Sequence, residues 1–341
     1  MLPLDRRTLR TCGAFLVVLL AACGGKSPGQ PPTPTPDAPQ IVCPADMSIG
    51  GITGGSQEVT FANPTVTGGA PPVTTTCSQT SGGSFPLGAT TVNCTASDAM
   101  SRQAACSFVV SITGVTLGVT KFSAIGDSLT AGENGAGAKP SFVDPGNSYP
   151  TKLQALLEAT FPGQGIVVIN RGESGKKVYE TEAKIAGFLT TDRPDAVLLL
   201  TGYNNLTTPC SVGQANSAAC GPATEEVAVG VRDCIRRAKE SPVGVKFIFV
   251  STLTPPGPTG GSRIDDNAIR EANRKIRLMV AAERVTLVDT YPLFLGHEAE
   301  YVSPDGLHLR PAGYQAIADS FFTAIKATVP QTSPAATGAS R

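Results

Sequence analysis

The rhythm of apolar and polar positions changes twice along the chain. Residues 14–20 are continuously apolar. Between about 41 and 114 the pattern alternates, most clearly at Cys106, Phe108, Val110 and Ile112. A period of two predicts half-buried β-strands. From about residue 120 short apolar runs are separated by stretches with helical spacing. Strands are expected at 119–125, 165–169, 196–200, 245–250 and 285–288. Between them Val227, Val231, Cys234, Ile235 and Ala238, then Ile269, Ala272, Ile276 and Met279, recur as helix stripes that face a core. Strands alternating with helices predict a parallel sheet covered on both faces.

The apolar run at 14–20 is too short to span a bilayer, and Arg6, Arg7 and Arg10 precede it. Residues 1–22 therefore read as a signal peptide. Leu20-Ala21-Ala22-Cys23-Gly24 resembles a bacterial lipobox, which implies lipidation of Cys23. Residues 23–40 are rich in proline and poor in apolar side chains, the composition of an extended tether that reaches about 50 Å. Gly24 is not acidic, so the expected place is the bacterial cell envelope, held to the outer membrane by the lipid.

Charge and cysteine usage narrow the picture. Lys and Arg number 27, as do Asp and Glu, which excludes a basic nucleic-acid surface. Cys43, Cys77, Cys94 and Cys106 fall in the alternating unit, where export favours disulfides and three pairings are open. Three more cysteines lie further on. Cys210 and Cys220 bracket a polar loop and are expected to pair, with Cys220–Cys234 as the alternative. Cys234 sits in a helix stripe, as a buried thiol would. Within 41–114, the run from Phe85 to Asp98, closed by Cys106-Ser107-Phe108-Val109-Val110 and begun by Cys43-Pro44, resembles the HYR (hyalin repeat) module. That implies a small immunoglobulin-like β-sandwich, a spacer or adhesive unit with cell-surface or glycan contacts. Met100-Ser101 departs from the family, where a Gly-Asn turn is commoner.

The chemistry gathers in residues 120–329. Gly126-Asp127-Ser128 follows the first strand of this unit, where an open α/β sheet places its chemistry, and an exposed turn serine is expected there. A serine nucleophile needs a base. Of the two histidines, only His308 has an aspartate, Asp305, three residues earlier on a short loop, while His297 reads as an exposed loop residue. Asn170-Arg171-Gly172-Glu173-Ser174-Gly175 and Gly202-Tyr203-Asn204-Asn205 are further strand-to-helix loops on the same face.

Together these segments resemble the blocks of the SGNH or GDSL hydrolase family. The resemblance implies a flavodoxin-like three-layer α/β/α fold with a parallel sheet. It assigns catalysis to Ser128, Asp305 and His308, and an oxyanion hole to Ser128, Gly175 and Asn204. It implies hydrolysis of small-molecule, lipid or glycan esters, with lysophospholipases, thioesterases and arylesterases as the nearest branch and an extracellular polysaccharide deacetylase as the alternative. No cofactor or metal is expected, since two histidines without a compact ligand cluster do not suit a zinc hydrolase. Asn205 and Lys176 stand where many relatives have aspartate. The rival from another class is an adhesive surface lipoprotein with a non-catalytic hydrolase scaffold. The long loops 133–148 and 206–223 are expected to rim the cleft, and residues 330–341 to form a flexible tail.

Overall fold

The structure, a computed structural model, describes residues 34–135, 142–261 and 263–333. Cys23, the signal peptide and most of the tether lie outside these residues.

The first unit is built from strands. Met47–Ile52, Gly88–Ser97, Gln103–Gly114 and Thr74–Cys77 make a four-stranded sheet, and Ser56–Val59 pairs with Gly83–Pro86. Val59 and Phe85 from the pair meet Val92, Phe108, Val110 and Ile112 from the sheet in one buried cluster, which alternation on two inner faces produces. Of the three open pairings the structure has Cys43–Cys106 and Cys77–Cys94. At the Met100-Ser101 turn, the Asp98 side chain holds the backbone. Its Oδ1 accepts from Met100 N at 3.0 Å and Arg102 N at 2.9 Å, while Ser101 takes a positive φ of 61°. The module begins earlier than the expected residue 41. Arg102 donates to the carbonyl oxygens of Pro36 and Asp37 at 2.9 and 3.1 Å, and Gln40–Val42 pairs with Thr65–Thr67.

The second unit carries a five-stranded, all-parallel sheet. Its strands are β1 (Lys121–Gly126), β2 (Val167–Gly172), β3 (Ala196–Leu200), β4 (Phe247–Ser251) and β5 (Thr286–Val288), in the spatial order β2-β1-β3-β4-β5. This is the flavodoxin-like order, whose reversal beside β1 opens a crevice at the carboxyl ends of the strands. The helices that concern the site and the core are α1 (Ser128–Ala131), α2 (Tyr149–Thr160), α3 (Val178–Asp192), α4 (Tyr203–Leu206), α5 (Cys220–Glu240), α6 (Asp266–Glu283) and α7 (Pro311–Thr328), with two more single-turn helices, Tyr291–Phe294 and Glu298–Tyr301, between the last two. The expected stripes of α5 and α6 are buried in the core, Met279 partly so. Tyr149 of α2 stacks on Phe321 of α7 with ring centroids 5.0 Å apart.

Two expectations shift. The second strand was placed at 165–169, with a glycine-rich turn from Asn170. Instead Gly165 is in a left-handed turn (φ 65°), and β2 runs on through polar Asn170 and Arg171 to Gly172. Backbone pairing along β1 holds it there, with Ala124, Ile125 and Gly126 opposite Asn170, Arg171 and Gly172. Arg171 is further tied to the buried Asp192 at the end of α3. At the other end, residues 331–332, placed in a flexible tail, pair with Thr116–Leu117, and Gly118 N donates to Pro330 O at 2.8 Å.

Candidate active site

Local sequence explains why Ser128 sits where it does. The chain leaves β1 at Gly126, and a Cβ at this position would overlap the Leu200 carbonyl oxygen and the Thr130 hydroxyl, so only glycine lets the turn lie this close to β3. Asp127 then caps α1, its Oδ1 accepting from Leu129 N at 3.1 Å. Ser128 is the first residue of α1. It was expected to be exposed, yet it is only 3% exposed.

The neighbouring imidazole comes from the far end of the chain. His308 Nε2 lies 3.1 Å from Ser128 Oγ, and His308 Nδ1 lies 2.6 Å from Asp305 Oδ2. Asp305 Oδ1 meanwhile accepts from Leu307 N and His308 N, both at 3.0 Å, so the carboxylate is held from both oxygens. The loop itself is clamped by Ser303 N to His308 O at 2.7 Å and Gly257 N to Gly306 O at 3.0 Å. Burial opposes charge on the His308 ring, but the bond to Asp305, its charge, and those of Glu133 and Asp127 outweigh it and raise the imidazole above its ordinary value. Burial likewise pushes Asp305 up, and the hydrogen bond from His308 with the two backbone donors more than reverses this, holding the carboxyl below the usual range.

Two further loops close the ring. Gly172 ends β2 against α1, where a Cβ would overlap Ala131 N, and Glu173 N donates to Gly126 O at 3.0 Å. In the next turn Gly175 takes a φ of 78°. Asn204, in α4, donates from Nδ2 to Lys176 O at 3.0 Å, which leaves the second amide hydrogen for another acceptor. Ser128 N lies in the first turn of α1, and Gly175 is exposed. Asn205 points the other way. Its Oδ1 accepts from Val178 N at 2.9 Å and fixes the start of α3. His297 is exposed, its Nδ1 3.3 Å from Glu300 Oε2, and takes no part in the cluster.

Sequence reasoning missed two carboxylates. Asp127 Oδ2 accepts from Gly202 N at 3.1 Å and Tyr203 N at 3.3 Å, joining the serine turn to the asparagine loop. Its position before a helix start signals the cap, but nothing local signals the second pair of bonds. Glu133, directly after the left-handed Gly132 that ends α1, places Oε2 3.7 Å from His308 Nε2. Of the loop 206–223, the expected disulfide Cys210–Cys220 is present with Cα atoms 4.9 Å apart, and Cys234 is a free, buried thiol that burial pushes up to about 12.

The GDSL-like lipase/acylhydrolase family model matches residues 124–316, and the HYR domain model matches residues 36–112. The spore germination lipase LipC of Bacillus licheniformis is 25% identical over 211 residues, covering 58% of this chain and 93% of its own. An acetylxylan esterase of Geobacillus stearothermophilus is 34% identical over 83 residues, 24% of this chain and 38% of that protein. The crystal structure of a lipase/acylhydrolase from Enterococcus faecalis superposes with a TM-score of 0.50 at 18% identity, over 62% of this chain and 97% of that one, and so shares the fold. More than half of the chain, including the serine turn and all of the sheet beyond the start of β1, falls within the family match, and the chain belongs to the GDSL-like lipase/acylhydrolase family as a carboxylic ester hydrolase that follows a HYR module.

Proposed function

We propose that the enzyme is a serine esterase in which Ser128, His308 and Asp305 act as a triad. The observation that carries this is the unbroken line from Ser128 Oγ to His308 Nε2 and from His308 Nδ1 to Asp305 Oδ2. As Ser128 Oγ bonds to the ester carbonyl carbon, His308 Nε2 takes its proton, and Asp305 stabilises the imidazolium. Ser128 N, Gly175 N and Asn204 Nδ2 receive the negative oxygen, each donor contributing about 3 kcal/mol. The C–O bond to the alcohol then breaks and His308 returns its proton to the departing oxygen. Water, activated by the same imidazole, attacks the acyl-serine and releases the acid.

The preferred substrates are those of lysophospholipases and arylesterases, with thioesters as an extension of the same chemistry. Similarity to a spore germination lipase along 93% of that protein supports this choice. A second reading, deacetylation of an extracellular polysaccharide, is supported by the 34% identity to an acetylxylan esterase over a short segment. We place the enzyme in the cell envelope, anchored through a lipid on Cys23, with the HYR module as spacer or glycan contact. The test is a panel of aryl esters, acyl-CoA, lysophospholipid and acetylated glycans. Ser128→Ala and His308→Ala are expected to lower kcat/KM by about a thousandfold or more, and His297→Ala to change it little. Equal losses from the two histidine variants would refute the assignment.

A further inference from the structure

The imidazole of His308 lies between carboxylates. Asp305 holds Nδ1, and on the other side Glu133 Oε2 lies 3.7 Å from Nε2, the nitrogen that also faces Ser128 Oγ at 3.1 Å. The Glu133 side chain is 13% exposed, so its charge is only partly screened by water. The segment that carries it is fixed through its backbone. Tyr314 OH donates to Glu133 O at 2.6 Å, and Gly135 packs so closely on Asp305 that a Cβ would overlap the carboxylate. A triad of serine, histidine and aspartate does not need this second carboxylate.

Its place relative to the reacting atoms suggests a use. In ester cleavage the departing oxygen must reach hydrogen-bond distance of His308 Nε2 to receive the proton. The carbonyl oxygen lies instead toward Ser128 N, Gly175 and Asn204. The alcohol part of the ester is therefore the part that passes Glu133. We infer that Glu133 is a specificity residue for the alcohol side of the substrate, favouring alcohols that carry positive charge and rejecting those that carry negative charge. This deepens the serine-esterase reading and rests on it.

The test holds the acyl group constant, varies the charge of the alcohol, and compares variant with wild type ester by ester, so that the different leaving-group acidities of the three phenols cancel. Phenyl acetate, 4-acetoxybenzoate and 4-(trimethylammonio)phenyl acetate give neutral, anionic and cationic leaving groups with one acetyl moiety. In the wild type kcat/KM is expected to fall from cation to neutral to anion. Glu133→Gln should shrink the cation-to-anion ratio by about tenfold, with the difference between the two proteins narrowing at high salt. Glu133→Lys should lower the cation-to-anion ratio further than Glu133→Gln does, and being a ratio within one protein, this readout does not depend on how much enzyme is folded. If both variants scale all three esters by one common factor while hydrolysis still requires Ser128, the inference is overturned and the esterase reading stands. If Ser128→Ala hydrolyses the esters at the wild-type rate, the serine-esterase reading itself fails, and the inference with it.

Discussion

Asp127 is wholly buried and accepts from Leu129 N, Gly202 N and Tyr203 N, so one side chain sets both the serine turn and the asparagine loop. Burial pushes it up to about 6 despite those donors and His308. A folded value above the unfolded carboxylate's means the fold holds this proton more tightly. Its contribution to stability is fully present below the ordinary value of 3.8 and is lost as pH rises through about 6. The ionised form then costs on the order of 3 kcal/mol at neutral pH. Asp127→Asn removes that cost but cannot accept from all three donors. Its Tm is expected to gain on the wild type as pH rises from about 4 to about 6 and to hold that gain above, while kcat drops. A Tm difference independent of pH would contradict this role. The contacts of Asp305 and His308 were legible because three residues on one loop fix their relation. Those of Asp127 and Glu133 were not, since their partners lie on distant segments, Gly202 at 75 residues and His308 beyond α6.

At the scale of elements, the site depends on how closely β1, α1, β2 and β3 approach. Gly126 and Gly172 are the contact points, where any side chain would meet backbone of β3 or α1. Gly126→Ala is expected to cost at least about 2 kcal/mol in chemical denaturation and to abolish most activity, because the backbone rather than a flexible side chain would have to move. An unchanged denaturation midpoint would show that the turn tolerates the displacement. The buried strands were legible from their apolar runs, Ala196–Leu200 to the residue. The polar end of β2 was not, because Asn170 and Arg171 resemble a turn until β1 is laid beside them. The Cys210–Cys220 bridge was legible from its short polar loop.

For the whole molecule, hydrophobic period separated the two units correctly in kind, since a β-sandwich and a parallel α/β sheet bury their faces with different rhythms. Where the first unit begins was less legible. The carbonyl groups of Pro36 and Asp37 belong to it only because Arg102, some 65 residues away, captures them. An envelope position through Cys23 makes a separate prediction. Fatty-acid labelling should mark the protein, and Cys23→Ser should remove both label and membrane association. An unlabelled, soluble wild type would contradict it.

The central claim is that the ester's acyl group passes through Ser128. Peptide mapping by mass spectrometry after brief reaction with a fluorophosphonate, a serine-directed ester mimic, tests it most directly. One adduct is expected, on the peptide that contains Ser128, with loss of all esterase activity in proportion to labelling and little labelling of His308→Ala. Full inhibition with the adduct on another residue, or complete labelling of Ser128 with hydrolysis undiminished, would contradict the account.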